Sequence, residues 1–145
     1  MRRRVSHRAF TLIELVLVLV IVGVVAAMAA PRYAGALANY RSRCAARRVV
    51  LDLSAAAADA LAASAARTMR FDRAANAYSV NGGAPVRLDR EPYGAALVSV
   101  DLGGDDAITF DGYGAPDSGG TIVVRSGQFT RTIIVNPLTG RAAVQ

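Results

Sequence analysis

The longest apolar segment of the chain covers residues 10–30 and contains a single charged residue, Glu14. At about 1.5 Å rise per residue, a helix of this length spans roughly 31 Å, close to the ~30 Å hydrocarbon core of a bilayer. The segment is preceded by four arginines: Arg2, Arg3, Arg4 and Arg8. Because basic residues beside a membrane helix stay cytoplasmic, we expect the rest of the chain to be transferred across the membrane.

Helical periodicity continues through residues 31–67. Tyr33, Leu37, Tyr40 and Cys44 recur at spacings of four, three and four, as on one face of a helix. A second series, Val49, Leu53, Ala56, Ala60 and Ala63, continues the pattern. Pro31 lacks an N–H donor and disfavours helix at the residue before it, so it predicts a kink near the membrane exit. The pattern therefore predicts one long helix with a transmembrane half and an amphipathic half, the second half being a stem over residues 31–67.

The pattern changes at residue 68, where short β-branched and aromatic runs alternate with Gly, Asn and Asp clusters. The predicted strands cover residues 69–71, 78–80, 86–88, 96–102, 108–110, 121–125 and 129–135. Ser126-Gly127, between the last two, predicts a tight hairpin turn. We therefore predict an α+β fold, in which the long N-terminal helix packs on a small antiparallel β-sheet of residues 68–145.

The composition offers little for catalysis. A chain of 145 residues is long enough for one domain and an anchor. Its only cysteine, Cys44, excludes an internal disulfide and a cysteine-rich metal site. Its only histidine, His7, precedes the apolar segment, so no imidazole follows it to activate a nucleophile. The sequence predicts a protein that is not an enzyme and that has no cofactor.

Asp105 and Asp106, with Asp101 and Asp111 nearby, form an acidic cluster in a glycine-rich stretch. Carboxylate oxygens bind hard cations, but this cluster lacks the spacing of a calcium loop. A solvated turn is the favoured interpretation. Ion binding by the loop stays open, and we predict no metal site.

Three interpretations compete for the N-terminal segment. A secretory signal peptide would be cut near Ala27-Met28-Ala29, and a plain signal anchor would not be cut. Neither explains Glu14, because a carboxylate within an apolar membrane helix costs about 2.5–3.5 kcal/mol. A cut before Phe10 would create an α-amino group four residues from Glu14. The two charges could then neutralise each other, within one helix or between neighbouring subunits.

Arg8-Ala9-Phe10-Thr11-Leu12-Ile13-Glu14 resembles the prepilin processing motif of type IV pilins and of type II secretion pseudopilins. The resemblance implies a leader of residues 1–9, removed by a prepilin peptidase between Ala9 and Phe10. It further implies N-methylation of Phe10, docking of Glu14 during filament assembly, and a helix kink at Pro31. The family usually has glycine before the cut, where this chain has Ala9.

The C-terminal third resembles pseudopilin H and its FimT-like relatives. The residues that carry this resemblance are Ile108-Thr109-Phe110-Asp111-Gly112-Tyr113-Gly114, residues 121–125 and 131–135, and Thr139-Gly140-Arg141. It implies a non-catalytic minor subunit of a type II secretion pseudopilus or a type IV pilus. The implied partners are other pilin or pseudopilin subunits, the prepilin peptidase and methyltransferase, and the inner-membrane assembly platform. The globular part is then expected in the periplasm.

An alternative within the same resemblance is a DNA-binding, FimT-like minor pilin of the DNA-uptake machinery. The arginines of the stem, Arg32, Arg41, Arg43, Arg47, Arg48 and Arg67, could contact phosphates. Residues 68–145, however, hold seven arginines and eight acidic residues, and a nucleic-acid groove normally shows a clustered basic patch. A solvated face, lipid head-group contacts or subunit contacts are the favoured interpretations of the stem arginines.

Overall fold

A computed structural model describes residues 10–145 of the chain. The chain consists of two compact units, Met1–Ala34 and Gly35–Gln145. The elements of the described residues are α1 Leu12–Ala63, β1 Arg67–Asp72, β2 Ala77–Val80, β3 Val86–Arg87, β4 Ala96–Leu102, β5 Ala107–Phe110, β6 Gly120–Ser126, β7 Phe129–Val135 and β8 Ala142–Val144. The expected leader, with Ala9, lies outside the described residues.

A capping residue sets the start of α1. Thr11 precedes the first helical residue, and its Oγ1 accepts the backbone N–H of Glu14 at 3.3 Å. This bond satisfies one of the donors that every helix start leaves without an internal partner. Pro31 lies inside α1, and the kink expected there stays a prediction.

A left-handed residue sets the end of α1. Ser64 has a φ of 48°, and the N–H of Ala65 donates to the carbonyl of Ala60 at 3.1 Å. These two features form a left-handed C-terminal cap. The helix therefore ends at Ala63 and not at residue 67, where β1 already begins.

One face of α1 is buried in the globular unit. Its buried residues are Ser42, Ala45, Ala46, Val49, Leu53, Ala56 and Ala60. Of the face predicted from the sequence, Val49, Leu53, Ala56 and Ala60 are buried, whereas Tyr33 and Tyr40 are 73% and 63% exposed and Ala63 is exposed. Ser42, Ala45 and Ala46 have small side chains, and all three are fully buried.

The strands form two antiparallel four-stranded sheets, in the orders β3-β2-β1-β5 and β4-β6-β7-β8. The predicted α+β class, a long N-terminal helix packed on antiparallel strands, is confirmed. The strands form two sheets, where a single sheet was expected, because period-2 alternation identifies the buried face of a strand but not its partner. Strand β8 was not predicted.

The predicted hairpin between β6 and β7 is confirmed, although its turn is Gly127-Gln128 and Ser126 belongs to β6. Ser126 pairs with Phe129, so two residues form the turn, and the first of them, Gly127, has a φ of 56°. A positive φ at this position favours glycine. The largest fully buried side chains of the core come from both sheets and from the helix: Tyr78, Phe110, Leu53, Met69, Leu88, Leu102, Ile108, Ile122 and Ile133.

Candidate functional site

The N-terminal segment of α1 exposes apolar side chains in every direction. Residues 10–34 are all exposed, and the large apolar ones include Leu12, Ile13, Leu15, Leu17, Leu19, Ile21 and Val25. An 18-residue window of α1 has a mean hydropathy of 2.9, with none of it buried. A helix that is apolar on all sides requires apolar surroundings. By length and composition, α1 can cross a membrane.

Glu14 is the single charge in this apolar segment, and it lies in the first turn of α1. An acidic side chain there faces the positive end of the helix dipole, which stabilises an exposed helix by about 0.3–1 kcal/mol. The spacing of Thr11 and Glu14 is that of a capping box. Within residues 10–145 the Glu14 carboxylate has no ion-pair partner. Among residues 10–145, the carboxylate at the helix start thus has no compensating cation.

The structure places the predicted site residues along this same segment. Phe10 precedes the helix and is 73% exposed, Glu14 follows one turn later, and Pro31 is exposed within the helix. Ala9 lies outside the described residues. Cleavage, methylation, docking and the kink therefore stay predictions at these positions.

A comparison with known protein families bears on this segment directly. Residues 4–30 match the prokaryotic N-terminal methylation motif. This motif indicates a subunit of the type IV pilin and pseudopilin class. It implies processing by a prepilin peptidase and assembly with other pilins, and it agrees with a membrane anchor. A search of curated proteins and a search of solved structures returned no match.

The methylation motif ends before the globular unit, which holds a polar cluster of its own. The Tyr78 hydroxyl donates to Asp52 Oδ2 at 2.5 Å, and Arg48 Nε donates to the same oxygen at 2.9 Å. Burial, and after it the neighbouring carboxylate of Asp52, raise the pKa of Tyr78 above its usual range. The Arg48–Asp52 spacing of four was visible in the sequence, but the partner from β2 was not. This cluster ties the helix to the sheet.

A second polar tie joins α1 to the other sheet. Arg131 in β7 donates from Nη2 to Asn39 Oδ1 at 2.8 Å. Its Nε is buried and has no hydrogen-bond partner among the described residues. Neither residue was singled out in the sequence, because 92 positions separate them.

Two aspartates of the acidic cluster accept hydrogen bonds from backbone N–H groups of the loops that contain them. Asp101 Oδ1 accepts the N–H of Gly104 at 3.2 Å, and Asp111 Oδ1 accepts two backbone N–H groups at 2.9 Å each. Asp106 forms an ion pair with Arg73, with 3.7 Å between Asp106 Oδ2 and Arg73 Nε. Over residues 10–145, no group of three or more His, Cys, Asp or Glu is placed to hold a metal ion. Asp101 and Asp111 therefore stabilise turns through hydrogen bonds to the backbone.

Three arginines of the stem are already paired within the globular unit. Arg41 Nη2 lies 3.2 Å from Glu91 Oε1, and Arg48 Nε lies 2.9 Å from Asp52 Oδ2. Arg67 forms an ion pair with Asp59. Because each pair neutralises a guanidinium, fewer of the stem cations are left for the phosphates of nucleic acid. The geometry therefore adds no support to the DNA-binding alternative.

Proposed function

We propose that this chain is a non-catalytic minor subunit of a type II secretion pseudopilus or a type IV pilus, close to pseudopilin H and its FimT-like relatives. The observation that supports it most is the methylation motif of residues 4–30, whose described residues form a helical segment with exposed apolar side chains on all sides. The compact α+β unit Gly35–Gln145 follows this segment and includes the rest of α1. A signal peptide would not need the capped acidic turn at Glu14.

In this proposal the prepilin peptidase cuts between Ala9 and Phe10 on the cytoplasmic face of the inner membrane. Phe10 becomes the N-methylated first residue. Its amine then compensates the Glu14 carboxylate of a neighbouring subunit, which removes the cost of an isolated charge in an apolar helix bundle. Pro31 bends the helix where it leaves the apolar layer. The globular unit lies in the periplasm.

The positions in the fold of the residues that resemble pseudopilin H support the proposal. The segment Ile108-Thr109-Phe110 lies in β5, and residues 121–125 and 131–135 lie in the paired strands β6 and β7. Gly140-Arg141 immediately precedes β8. These residues thus belong to ordered strands and turns of one unit, as a structural subunit requires.

Intact mass and N-terminal sequencing test the proposal. The chain is expressed with and without a prepilin peptidase and recovered from membranes. We expect a chain that begins at N-methylated Phe10 only when the peptidase is present. The variant Ala9→Gly, which restores the usual family residue, should be processed at least as completely. A chain that begins near Ala29 would contradict the proposal, and so would an uncut chain in both variants.

A further inference from the structure

A shallow groove of about 360 Å³ runs along one face of the N-terminal segment of α1. It is lined by Val25, Met28, Ala29 and Arg32, which occupy positions i, i+3, i+4 and i+7 of the helix. Side chains on a helix lean toward its N-terminus, so the stem of Arg32 lies over the turn that contains Met28 and Ala29. The groove therefore combines three apolar side chains with a guanidinium at one end.

The cationic end of this groove comes directly after the apolar segment of residues 10–30. A guanidinium within the hydrocarbon layer is unfavourable, so an arginine near the end of a membrane helix extends its charged group to the interface. Tyr33, the next residue, is 73% exposed, and tyrosine is enriched at membrane–water interfaces. In a bilayer, Arg32 thus lies at the level of the lipid phosphates, while Val25, about 10 Å away along the helix, lies among the acyl chains.

The charge of Arg32 is not compensated by this segment. Arg32 is exposed and takes part in no ion pair within residues 10–145. Residues 1–9 include no acidic residue, and the only one in residues 10–34 is Glu14, which lies 18 positions, or about 27 Å of helix, before Arg32. A second copy of the segment, inserted in parallel at the same depth, would therefore bring no carboxylate to Arg32. The cation favours an anionic group of the membrane itself.

We propose that this groove binds one anionic phospholipid, with an acyl chain along Val25, Met28 and Ala29 and the phosphate at Arg32. The planar guanidinium donates two parallel hydrogen bonds to phosphate oxygens. The unbranched, flexible side chain of Met28 adapts to the shape of an acyl chain. The inference rests on the membrane anchor that the proposed function gives to α1, and it applies to a pseudopilus and to a pilus alike.

Net charge selects among phospholipids at this site. The phosphate of phosphatidylcholine already has a cation in its own head group, whereas phosphatidylglycerol keeps a net negative charge for Arg32. One basic residue near an anionic lipid surface corresponds to a preference of about fivefold. We therefore expect Arg32 to favour phosphatidylglycerol by about this factor.

Native mass spectrometry of the full chain tests the proposal. The chain is released from nanodiscs that hold equal amounts of phosphatidylglycerol and phosphatidylcholine with the same acyl chains. We expect one retained lipid, with phosphatidylglycerol favoured about fivefold. An intact chain that retains both lipids equally, or neither, would overturn the proposal. The same spectrum gives the mass of the chain, so cleavage near Ala29, which would contradict the proposed function, is distinguishable from loss of the lipid.

Charge variants test the role of Arg32. Arg32→Gln should abolish the preference and bring the ratio of the two lipids to about one. Arg43→Gln is the matched control, since Arg43 is also an exposed arginine of α1 without an ion pair among residues 10–145. It should keep the fivefold ratio. An equal decrease in both variants would show general attraction to the anionic surface and overturn the site.

Apolar variants test the groove without any change of charge. Ala29→Phe fills the groove and should lose the retained lipid, whereas Ala27→Phe, at a position outside the groove lining, should keep it. Circular dichroism in the same nanodiscs checks that both chains are helical. Equal retention by the two variants would overturn the groove as the site. A dimer of the parent that Ala29→Phe abolishes would assign the groove to a second anchor helix and overturn the lipid as its occupant.

Discussion

Residues 12–34 and residues 35–63 belong to one helix, yet their side chains meet different surroundings. In the N-terminal segment every side chain is exposed and nearly all are apolar, so the chain itself provides no packing partner for them. In the C-terminal segment a stripe of side chains is fully buried against strands of the same unit. The same backbone geometry thus serves two purposes. The N-terminal segment depends on a membrane or on other subunits, whereas the C-terminal segment contributes to a core of its own.

Glu14 offers the most severe test of this dependence. We expect Glu14→Gln to lower incorporation into filaments about 100-fold, because it leaves the amine of Phe10 without its carboxylate, and an uncompensated charge in an apolar helix bundle costs about 2.5–3.5 kcal/mol. Immunoblots of sheared filaments measure the effect. Glu91→Gln is the matched control, since Glu91 is an exposed carboxylate of the globular unit. Normal incorporation of the Glu14 variant would contradict a docking role and leave the carboxylate only its interaction with the helix dipole.

Two leucines of α1 that are two positions apart allow a comparison between a core and a surface side chain. Leu53 is fully buried and Leu51 is 58% exposed. We expect Leu53→Ala to lower the free energy of unfolding by about 2–5 kcal/mol and Leu51→Ala to change it by less than about 0.5 kcal/mol. Thermal and denaturant unfolding of the detergent-solubilised chain measure both. Similar losses in the two variants would mean that the globular unit does not use the stripe described above.

The Tyr78 hydroxyl provides a smaller test of the same packing. Tyr78→Phe keeps the ring but leaves Asp52 without one donor, which should cost about 1–3 kcal/mol at neutral pH. Tyr113→Phe, at a residue that is 87% exposed, should cost close to nothing. Equal unfolding temperatures for the parent and the Tyr78 variant would contradict a role for this tie in joining α1 to β2.

The same tyrosine should give the globular unit an alkaline limit. The pKa of Tyr78 is raised in the folded chain, chiefly by burial, whereas an unfolded tyrosine titrates near pH 10. The stabilisation is therefore fully present below about pH 10 and is lost as the pH rises toward the folded pKa. We expect the unfolding temperature of the parent to fall above pH 10 more steeply than that of Tyr78→Phe. Parallel curves would contradict the assignment.

The smallest expected effect concerns the end of the helix. Ser64 adopts a positive φ, which costs a non-glycine residue about 1 kcal/mol. Ser64→Gly should therefore raise the free energy of unfolding by up to about 1 kcal/mol. Ser54→Gly, ten residues earlier in the helix, should lower it by about the same amount. Opposite signs in thermal unfolding support the cap, and a loss in both variants would contradict it.

Much of this architecture could be predicted from the sequence where the signal is local. The bounds of β4 and β7 agree with the predicted 96–102 and 129–135, because β7 is rich in β-branched and aromatic residues and a glycine pair follows the last residue of β4. Strand β8 escaped prediction because Ala142 and Ala143 have low strand propensity and owe their conformation to pairing with β7. The end of α1 was missed because Ser64, and not glycine, occupies the left-handed position.

In the candidate site, too, local sequence signals could be predicted, whereas contacts between distant parts of the chain could not. The methylation motif is a linear signal, so Phe10 and Glu14 could be identified from the order of residues alone. The tie between Asp52 and Tyr78 depends on which strand lies under the helix, and no spacing in the sequence contains that information. The position of β8 at the edge of its sheet likewise depends on strand order, which local patterns do not determine.

The alanine-rich stripe of α1 has a mechanical consequence. Small side chains make shallow ridges, so they do little to prevent the helix from sliding lengthwise over the sheets. Two directional ties resist such sliding, Asn39 with Arg131 and Asp52 with Tyr78, and their helix residues lie about 20 Å apart along the axis. A force that pulls along the helix therefore loads these hydrogen bonds in shear before it separates any apolar surface.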